Sequence, residues 1–280
     1  MEAISVAVKR GGVIESVHRV HAVKLTDGRV LEARGDPNLV TFMRSAAKPL
    51  QARPLAGLDL PKEELAIACA SHEALPDQLE AVRALLARAG AREEDLECGS
   101  VGGSKLRHNC SGKHAGMLLL ARARGWPREG YYSPEHPLQQ ELLTIVAEAA
   151  GMRTDSIATA TDGCGVVTFA LSLRAMARAF ASVLEAERIS DAMRTHPELV
   201  GGPAAIDTRL MRALPGAIAK RGAEGVLCAA LPDGTAVALK VEDGARRALP
   251  AAASLFLDVA GLADTSSGRR GDIAGRVSVL

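Results

Sequence analysis

The sequence predicts a mixed α+β fold in which strands from both ends of the chain share one antiparallel sheet, with a helical region between them. Two patterns indicate strands: apolar runs broken by turn residues near the N-terminus, and a strand-turn-strand pattern near the C-terminus. Between them, apolar residues recur at three- and four-residue spacing, which favours helices. No repeat or low-complexity linker divides the chain, so we expect a single domain over residues 1–280 with a helical lobe.

The N-terminal segment is predicted to form two or three strands. Its apolar runs, 4–8 and 20–31, are interrupted by Gly11-Gly12 and by Asp27-Gly28, a typical hairpin turn. Farther along, Pro49 occupies a position that proline tolerates only in the first turn of a helix. Ser45, four residues earlier, is therefore expected at or near a helix N-terminus.

The middle and the end of the chain contain the remaining predicted elements. Helices are predicted at 63–69, 77–88, 114–124, 137–150, 167–181, 189–194 and 209–220. A hairpin follows, with apolar runs at 226–231 and 236–241 separated by Pro232-Asp233-Gly234. A last helix is predicted at 249–262, before a polar segment rich in Ser, Gly and Arg.

Charge and composition exclude several classes of partner. The 34 basic and 33 acidic residues leave a net charge of +1, so we expect no nucleic-acid or anionic-membrane binding. No apolar run is long enough to span a bilayer and no leader pattern is visible, which together predict a cytoplasmic protein. The five cysteines then favour reduced thiols or metal ligands over a disulfide framework.

A Ser-x-x-Lys pattern, Ser45 to Lys48, could carry nucleophilic chemistry. At a helix start, three-residue spacing places a hydroxyl and an amine on one face. A serine is a poor nucleophile until a base removes its proton, and a lysine is such a base only when burial or a nearby cation disfavours the ammonium. Arg44 is a candidate for that cation. The same pattern alone also fits a helix cap with a solvated lysine.

A second group of polar residues could hold a metal ion. Cys110 and Lys113 precede an apolar helix, and Cys164 follows Asp162 between two glycines. Two thiolates and a neutral amine can bind zinc, with water or an oxygen ligand as the fourth group. Buried cysteines that act as inert core residues are the alternative.

Two further residues are candidates that spacing alone does not support. Ser71, His72 and Glu73 are consecutive, so they cannot converge as a triad, and Ser71 is better placed as one member of a site built from several segments. Lys240 lies on the second strand of the late hairpin, where a solvated position is the ordinary outcome. The order of a Ser-x-x-Lys, a polar middle segment and a late-strand lysine parallels the serine penicillin-recognising enzymes, but fixes no substrate.

Taken together, the motifs resemble those of the rhizobial-type (class 3) L-asparaginases. The blocks that carry the resemblance, in chain order, are RSAAKP (44–49), HNCSGKHAGM (108–117), HPLQ (136–139), DGCG (162–165), HPELV (196–200), DTRLM (207–211), GAEG (222–225) and LKVEDG (239–244). The resemblance extends from about residue 4 to about residue 260. It implies a fold similar to serine β-lactamases and β-lactamase-like glutaminases, which agrees with the predicted order of strands and helices.

The resemblance also implies roles for individual residues. Two serine–lysine pairs fall on Ser45 with Lys48 and on Ser71 with Lys240. A zinc ion would be held by Cys110, Lys113 and Cys164. Substrate contacts are expected from Arg44, Asp162 and His114, the substrate is expected to be L-asparagine, and the assembly is expected to be a homodimer.

The resulting hypothesis is an amidohydrolase in which Ser45 attacks the side-chain amide of L-asparagine and Lys48 is the general base. The Ser71–Lys240 pair would relay protons. Glutamine, another amide or a β-lactam are alternative substrates, because one methylene is discriminated by only about 1–3 kcal/mol. A zinc-binding or amino-acid-binding module without activity is the alternative from another class.

Overall fold

The computed structural model describes residues 1–262, 265–267 and 273–280, with the backbone alone for 265–267 and 273–278. The strands are β1 (Ile4–Arg10), β2 (Val13–Thr26), β3 (Arg29–Arg34), β4 (Val40–Phe42), β5 (Thr159–Thr161), β6 (Val167–Ser172), β7 (Ile218–Arg221), β8 (Val226–Ala230), β9 (Thr235–Val241), β10 (Thr265–Ser267) and β11 (Ile273–Val279). The α-helices are α1 (Lys48–Ala52), α2 (Lys62–Ala68), α3 (Pro76–Ala89), α4 (Ser111–Arg124), α5 (Pro137–Ala150), α6 (Leu173–Ala181), α7 (Glu187–Thr195), α8 (Pro197–Gly201), α9 (Ile206–Ala213) and α10 (Leu249–Leu257).

The main sheet joins the two ends of the chain. Its order is β10-β11-β1-β2-β9-β8-β7, with β3 paired to β2, and the pairings are antiparallel. The central contact is between β2 and β9, where Val20 pairs with Val241 and Thr26 with Thr235. The prediction of a mixed fold with one antiparallel sheet built from N- and C-terminal strands is confirmed. Residues 263–264 and 268–272, within the predicted polar segment, lie outside the described residues.

Helices cover both faces of this sheet. Neighbouring residues of β2 show the two faces, because side chains alternate along a strand. The Lys24 ammonium lies 5.0 Å from the centre of the Phe256 ring in α10, whereas Leu25 borders a cavity with Arg178 and Ala181 of α6. One apolar cluster, which includes Val23, Phe169 and Phe180, extends from the sheet into the helical region. In the part of the chain described here, no helix is long and apolar enough to cross a membrane.

Three predicted helices have different bounds in the structure, and two of them contain a strand. The helix predicted at 167–181 is strand β6 followed by α6, with the Ser172 hydroxyl accepting from Ala175 N at the helix start. A strand buried on both faces has a continuous apolar pattern that does not differ from that of a buried helix. The helix predicted at 209–220 is α9 followed by β7, and the last helix ends at Leu257, where Asp258 adopts a left-handed conformation.

A small second sheet, β4-β6-β5, places the Ser-x-x-Lys segment. Met43 follows β4, and its backbone N–H donates to Phe169 O of β6 at 2.9 Å. On the opposite side the segment meets the end of β7. A Cβ on Gly222 would lie 2.6 Å from Met43 O, so only glycine permits this backbone approach. The segment 44–48 is therefore fixed between the two sheets.

Candidate active site

The Ser-x-x-Lys segment begins the helical region, as the sequence predicts. Arg44–Ala47 form a single 3-10 turn that continues into α1 at Lys48. Arg44 has φ of 51°, a left-handed conformation that costs energy for a residue with a side chain. Ser45 is partly exposed, whereas Lys48 is 1% exposed. The two residues are thus presented differently: the hydroxyl to solvent and the amine to the interior.

The amine of Lys48 bonds to Ser71, not to Ser45. Nζ donates to Ser71 Oγ at 3.1 Å, to Ala70 O at 2.5 Å and to Asn109 O at 3.4 Å. Three acceptors match the three N–H donors of an ammonium group. Within the described chain the Ser45 hydroxyl has no hydrogen bond. The structure therefore joins one member of each predicted pair.

Ser71 is held from its backbone as well. Its N–H donates to Val200 O at 2.9 Å, and the side chain is almost buried. The next residue, His72, donates from Nε2 to Ser111 Oγ at 2.8 Å, because that hydroxyl itself donates to Leu106 O. Burial lowers the pKa of His72 to about 4, so the imidazole is neutral. His72 thus ties the segment of Ser71 to the start of α4.

Lys240 does not form the predicted pair with Ser71. It lies near the end of β9, and its Nζ donates to the backbone oxygen of Val241. The charges that act on it are the carboxylates of Glu224, Asp243 and Glu242. Burial lowers the pKa of Lys240 despite these acids. Lys240 does not reach Ser71 because of the position of its strand. Lys240 of β9 shares a face of the sheet with Lys220 of β7, but it is β7 that passes beside the segment of Ser45.

Lys220 is the lysine that the structure brings near Lys48. Its side chain is fully buried, and Nζ donates to Asp207 Oδ2 at 3.1 Å and to Arg221 O at 3.0 Å. Burial lowers its pKa to about 8, with Lys48 and Arg221 acting in the same direction and Asp207 opposing them. Sequence reasoning missed this residue because it was placed at the end of a predicted helix. The available signal was a lysine within the apolar run 217–220, directly after Pro215-Gly216.

The predicted metal ligands Cys110, Lys113 and Cys164 come together in the interior. Each is 5% exposed or less, and Lys113 Nζ lies 3.0 Å from Cys164 Sγ. A hydrogen bond from Cys164 lowers the pKa of Cys110 well below the usual thiol range, and Lys48 and Lys113 add to this effect. Burial would lower the pKa of Lys113, but the two thiols and Asp162 outweigh it and raise that pKa. The arrangement is an ammonium group between a thiolate and a thiol.

Arg44 and Asp162 form an ion pair beside this cluster. Arg44 Nε donates to Asp162 Oδ1 at 2.8 Å, and the same oxygen accepts from Gly163 N at 2.7 Å. The Arg44 side chain remains 26% exposed and that of Asp162 12%. Charged atoms of both signs are thus available at the surface of the site.

His114, the third predicted substrate contact, is fully buried behind the cluster. Its Nδ1 lies 2.6 Å from Tyr131 Oη, and the two rings meet edge to face. The Tyr131 hydroxyl also accepts from Glu97 N at 2.9 Å, so its proton is directed to His114. The structure gives His114 the surroundings of a packing residue and no exposed surface for a substrate.

The fold and the site define a mixed α/β protein with a polar centre in which a hydroxyl, buried amines and thiols converge, the composition of an enzyme site. The family model described as L-asparaginase II matches residues 6–274, and the chain therefore belongs to that family. Family membership places it among the hydrolases and confirms the family that the motifs resemble. No curated protein matches the sequence.

Two solved structures are similar to the chain. One is a β-lactamase from Mycobacterium bovis, with 16% identity over 85% of this chain and 94% of that chain and a TM-score of 0.41. The other is EstCE1, a hydrolase with promiscuous acyltransferase activity, with 13% identity over 79% of this chain and 88% of that chain and a TM-score of 0.42.

Proposed function

We propose that this protein hydrolyses the side-chain amide of L-asparagine to L-aspartate and ammonia, with Ser45 as the nucleophile, the Lys220 amine as the proton acceptor and Lys48 as the group that holds Ser71 in place. The observation that carries the proposal is the 3.1 Å hydrogen bond from Lys48 Nζ to Ser71 Oγ. Lys48 lies one helical turn after Ser45 in the chain. Membership of the L-asparaginase II family supplies the amide substrate.

Ser45 is the better nucleophile of the two serines because its hydroxyl is accessible. Ser71 is nearly buried and its oxygen already accepts from Lys48. In the proposed reaction Ser45 Oγ bonds to the amide carbon while its proton passes to an amine. That proton then moves to the departing nitrogen, which leaves as ammonia, and water hydrolyses the ester to release L-aspartate and restore Ser45.

Of the two amines, that of Lys220 is the one proposed to accept the proton. Only a neutral amine is a base, and Lys220, with a pKa of about 8, is partly neutral near physiological pH. Lys48 has three oxygen acceptors around Nζ, which suits an ammonium group that holds Ser71 and the Asn109 carbonyl in place. Lys220 therefore replaces Lys240 as the second lysine of the proposal.

Arg44 and Asp162 are proposed to select an α-amino acid. L-asparagine carries a carboxylate and an ammonium group on one carbon, and a guanidinium group and a carboxylate are the side chains that pair with them. Both side chains keep exposed atoms next to the segment of Ser45. We therefore assign them to the charged end of the substrate.

The experiment that tests the function measures ammonia release by the purified protein from L-asparagine and L-glutamine, with hydrolysis of a chromogenic β-lactam measured alongside. We expect L-asparagine to have the highest kcat/KM, and Ser45→Ala to lower its kcat by about a thousandfold or more. Ser156→Ala, which changes an exposed serine whose hydroxyl bonds only to a nearby carbonyl, is the matched control. Turnover of Ser45→Ala at the wild-type rate would reject this nucleophile, and preference for another substrate would reject the assigned one.

We further propose that Cys110, Lys113 and Cys164 hold one zinc ion. Among the described residues no three His, Cys, Asp or Glu side chains converge, so such a site needs the Lys113 amine as its third donor. The donor atoms fit, because two buried sulfur atoms and a nitrogen already meet and one thiol is disposed to ionise. Lys113 is an ammonium group without the metal, so zinc binding would have to release its proton. When bound, zinc would supply a positive charge close to Asp162, one of the two residues proposed to bind the substrate.

Zinc content tests this assignment without reference to activity. We expect about one equivalent after purification without chelator, and loss of zinc as the pH falls because protons compete for the thiols and for Lys113. Cys110→Ser and Cys164→Ser should each lower the content severalfold, while Cys228→Ala, which alters a buried cysteine in β8, should not. Equal zinc content in all four proteins would exclude the site.

A further inference from the structure

A carboxylate that takes no part in the proposed reaction lies directly behind Lys220. Asp207, in α9, is fully buried. Its Oδ2 accepts from Lys220 Nζ at 3.1 Å and from Arg221 N at 3.4 Å, and its Oδ1 accepts from Arg221 Nη1 at 2.8 Å. Burial alone would raise the pKa of Asp207, but Lys220 and Arg221 outweigh it and lower that pKa, so the group is ionised.

The surroundings of Lys220 make Asp207 the source of negative charge there. Several elements present titratable or charged groups to Lys220: Lys48 from α1, Cys69 after α2, Asp207 from α9, Arg221 from β7 itself and Cys228 from β8. Burial raises the pKa of Cys69 and of Cys228 to about 12, so both thiols are neutral. Among the residues that the structure describes, Asp207 is thus the anion that faces Lys220, and the cations Lys48 and Arg221 repel the Lys220 ammonium.

The two acceptors on Lys220 leave one position of Nζ open. A neutral amine has two N–H groups and one lone pair. Asp207 Oδ2 and Arg221 O account for both N–H groups, and in the described part of the chain no third hydrogen bond to Nζ is present. The lone pair of the neutral form therefore has a fixed direction, which is what a proton acceptor needs.

Asp207 also acts on Ser71 through a second cation. Arg221 Nη1 is bound to Asp207 Oδ1, which aims Nη2 at Ser71 O (3.4 Å) and at Gly201 O (3.1 Å). A Cβ on Gly201 would lie 2.5 Å from Asp207 Oδ1, so a glycine at the end of α8 leaves the space for this carboxylate. One side chain thus positions the proton acceptor and the backbone of the serine that Lys48 binds.

We propose that Asp207 is a positioning residue of the reaction: it orients the Lys220 amine for proton transfer and, through Arg221, fixes the carbonyl group of Ser71. The inference rests on the proposed function, in which Lys220 accepts the proton. It assigns to Asp207 no contact with substrate.

The test compares pH profiles of kcat and kcat/KM for L-asparagine in wild type, Asp207→Asn and Asp207→Glu. Asn keeps the shape and removes the charge that favours the Lys220 ammonium. We expect kcat to fall about tenfold or more with KM within about threefold, and the rising limb of kcat/KM to move to lower pH by about one unit. Glu keeps the charge but shifts the oxygens, so kcat should fall while the limb stays near its wild-type position. Asp191→Asn, in an exposed ion pair with Lys62, is the control and should match wild type.

Two results would overturn the proposal: an Asp207→Asn variant whose limb does not move, which indicates a structural role only, or an Asp207→Glu variant with wild-type kcat. If Asp207→Asn does not fold, the second comparison alone decides. Titration of the Lys220 side chain by NMR tests the role of Asp207 without depending on turnover. The Lys220 signal is assigned as the one missing from the spectrum of Lys220→Met. A wild type without turnover rejects the proposed function, whereas an unchanged Lys220 midpoint in Asp207→Asn rejects the role of Asp207 even then.

Discussion

At the scale of single residues, the site depends on how buried ammonium groups are satisfied. Lys48 has two carbonyl groups and a hydroxyl, Lys220 a carboxylate and a carbonyl, and Lys113 a cysteine sulfur. An unpaired buried charge would cost several kcal/mol, so each of these contacts is needed for the fold as well as for the chemistry. Burial lowers the pKa of Lys220, whereas at Lys113 burial is outweighed by Cys164, Cys110 and Asp162, which raise the pKa of that amine.

The two lysines of β7 and β9 give the sharpest prediction at this scale. Lys220→Met should lower kcat/KM for L-asparagine by about a hundredfold or more, because it removes the proton acceptor. Lys240→Met should stay within about threefold of wild type, since Lys240 lies among Glu224, Glu242 and Asp243. Steady-state kinetics at pH 8 measure both. A larger loss of kcat/KM in Lys240→Met than in Lys220→Met would show that Lys240, and not Lys220, is the proton acceptor.

The pH dependence follows from the same residue. Because only the neutral amine accepts a proton, kcat/KM of the wild type should rise with pH through about 8, the pKa of Lys220. Below that pH the ammonium form predominates and activity falls. A profile that is flat between about pH 6 and 10 would show that another group takes the proton.

At the scale of elements, the connection between α2 and α3 holds Ser71 at some cost. Ala74 has φ of 58°, a left-handed conformation, and its N–H donates to His72 Nδ1 at 3.1 Å. Gln78 Oε1 accepts from Glu73 N and from Leu75 N, which fixes the turn on both sides of Ala74. These hydrogen bonds hold Ala74 in the left-handed conformation despite its energetic cost.

Ala74→Gly should therefore stabilise the protein. Glycine adopts a positive φ freely, which removes about 1–2 kcal/mol of strain, and part of this gain is offset by about 0.5–1 kcal/mol of added freedom in the unfolded chain. We expect a net increase of about 0.5–1 kcal/mol in the free energy of unfolding, measured with urea. Ala87→Gly, at an exposed position within α3, is the control and should destabilise by about 1 kcal/mol. A loss of stability in Ala74→Gly would show that the turn is not strained.

At the scale of the whole molecule, the sheet leaves apolar side chains at its surface. Val13, Ile14 and Val17 near the start of β2, and Val30 and Leu31 on β3, are each more than 40% exposed. We propose a homodimer, the commonest assembly of soluble enzymes. Light scattering should give twice the mass of one chain at micromolar concentration. A single-chain mass that does not change with concentration would exclude it.

Strands β6 and β7 lie within segments predicted as helices, so the sequence did not determine every element. By itself it determined the family, the fold class and the residue types of the site. These follow from local patterns: turn residues between apolar runs, apolar spacing along helices, and short motifs around Ser45, Cys110 and Cys164. The metal-ligand candidates were identified as well, because each lies in a motif with small or polar neighbours.

Only the tertiary structure decided which side chains meet. Lys220 and Lys240 share a face of the sheet and have similar apolar neighbours along the chain, so no local pattern ranks them. The choice depends on which strand passes beside the segment of Ser45, and it is β7, whose turn at Gly222 approaches Met43. In the same way, Lys48 bonds to Ser71 because α1 and the segment after α2 are brought together by packing, a contact across 23 residues of chain. Sequence spacing sets what a residue can reach along its own helix or strand, whereas contacts between segments are set by how the whole chain packs.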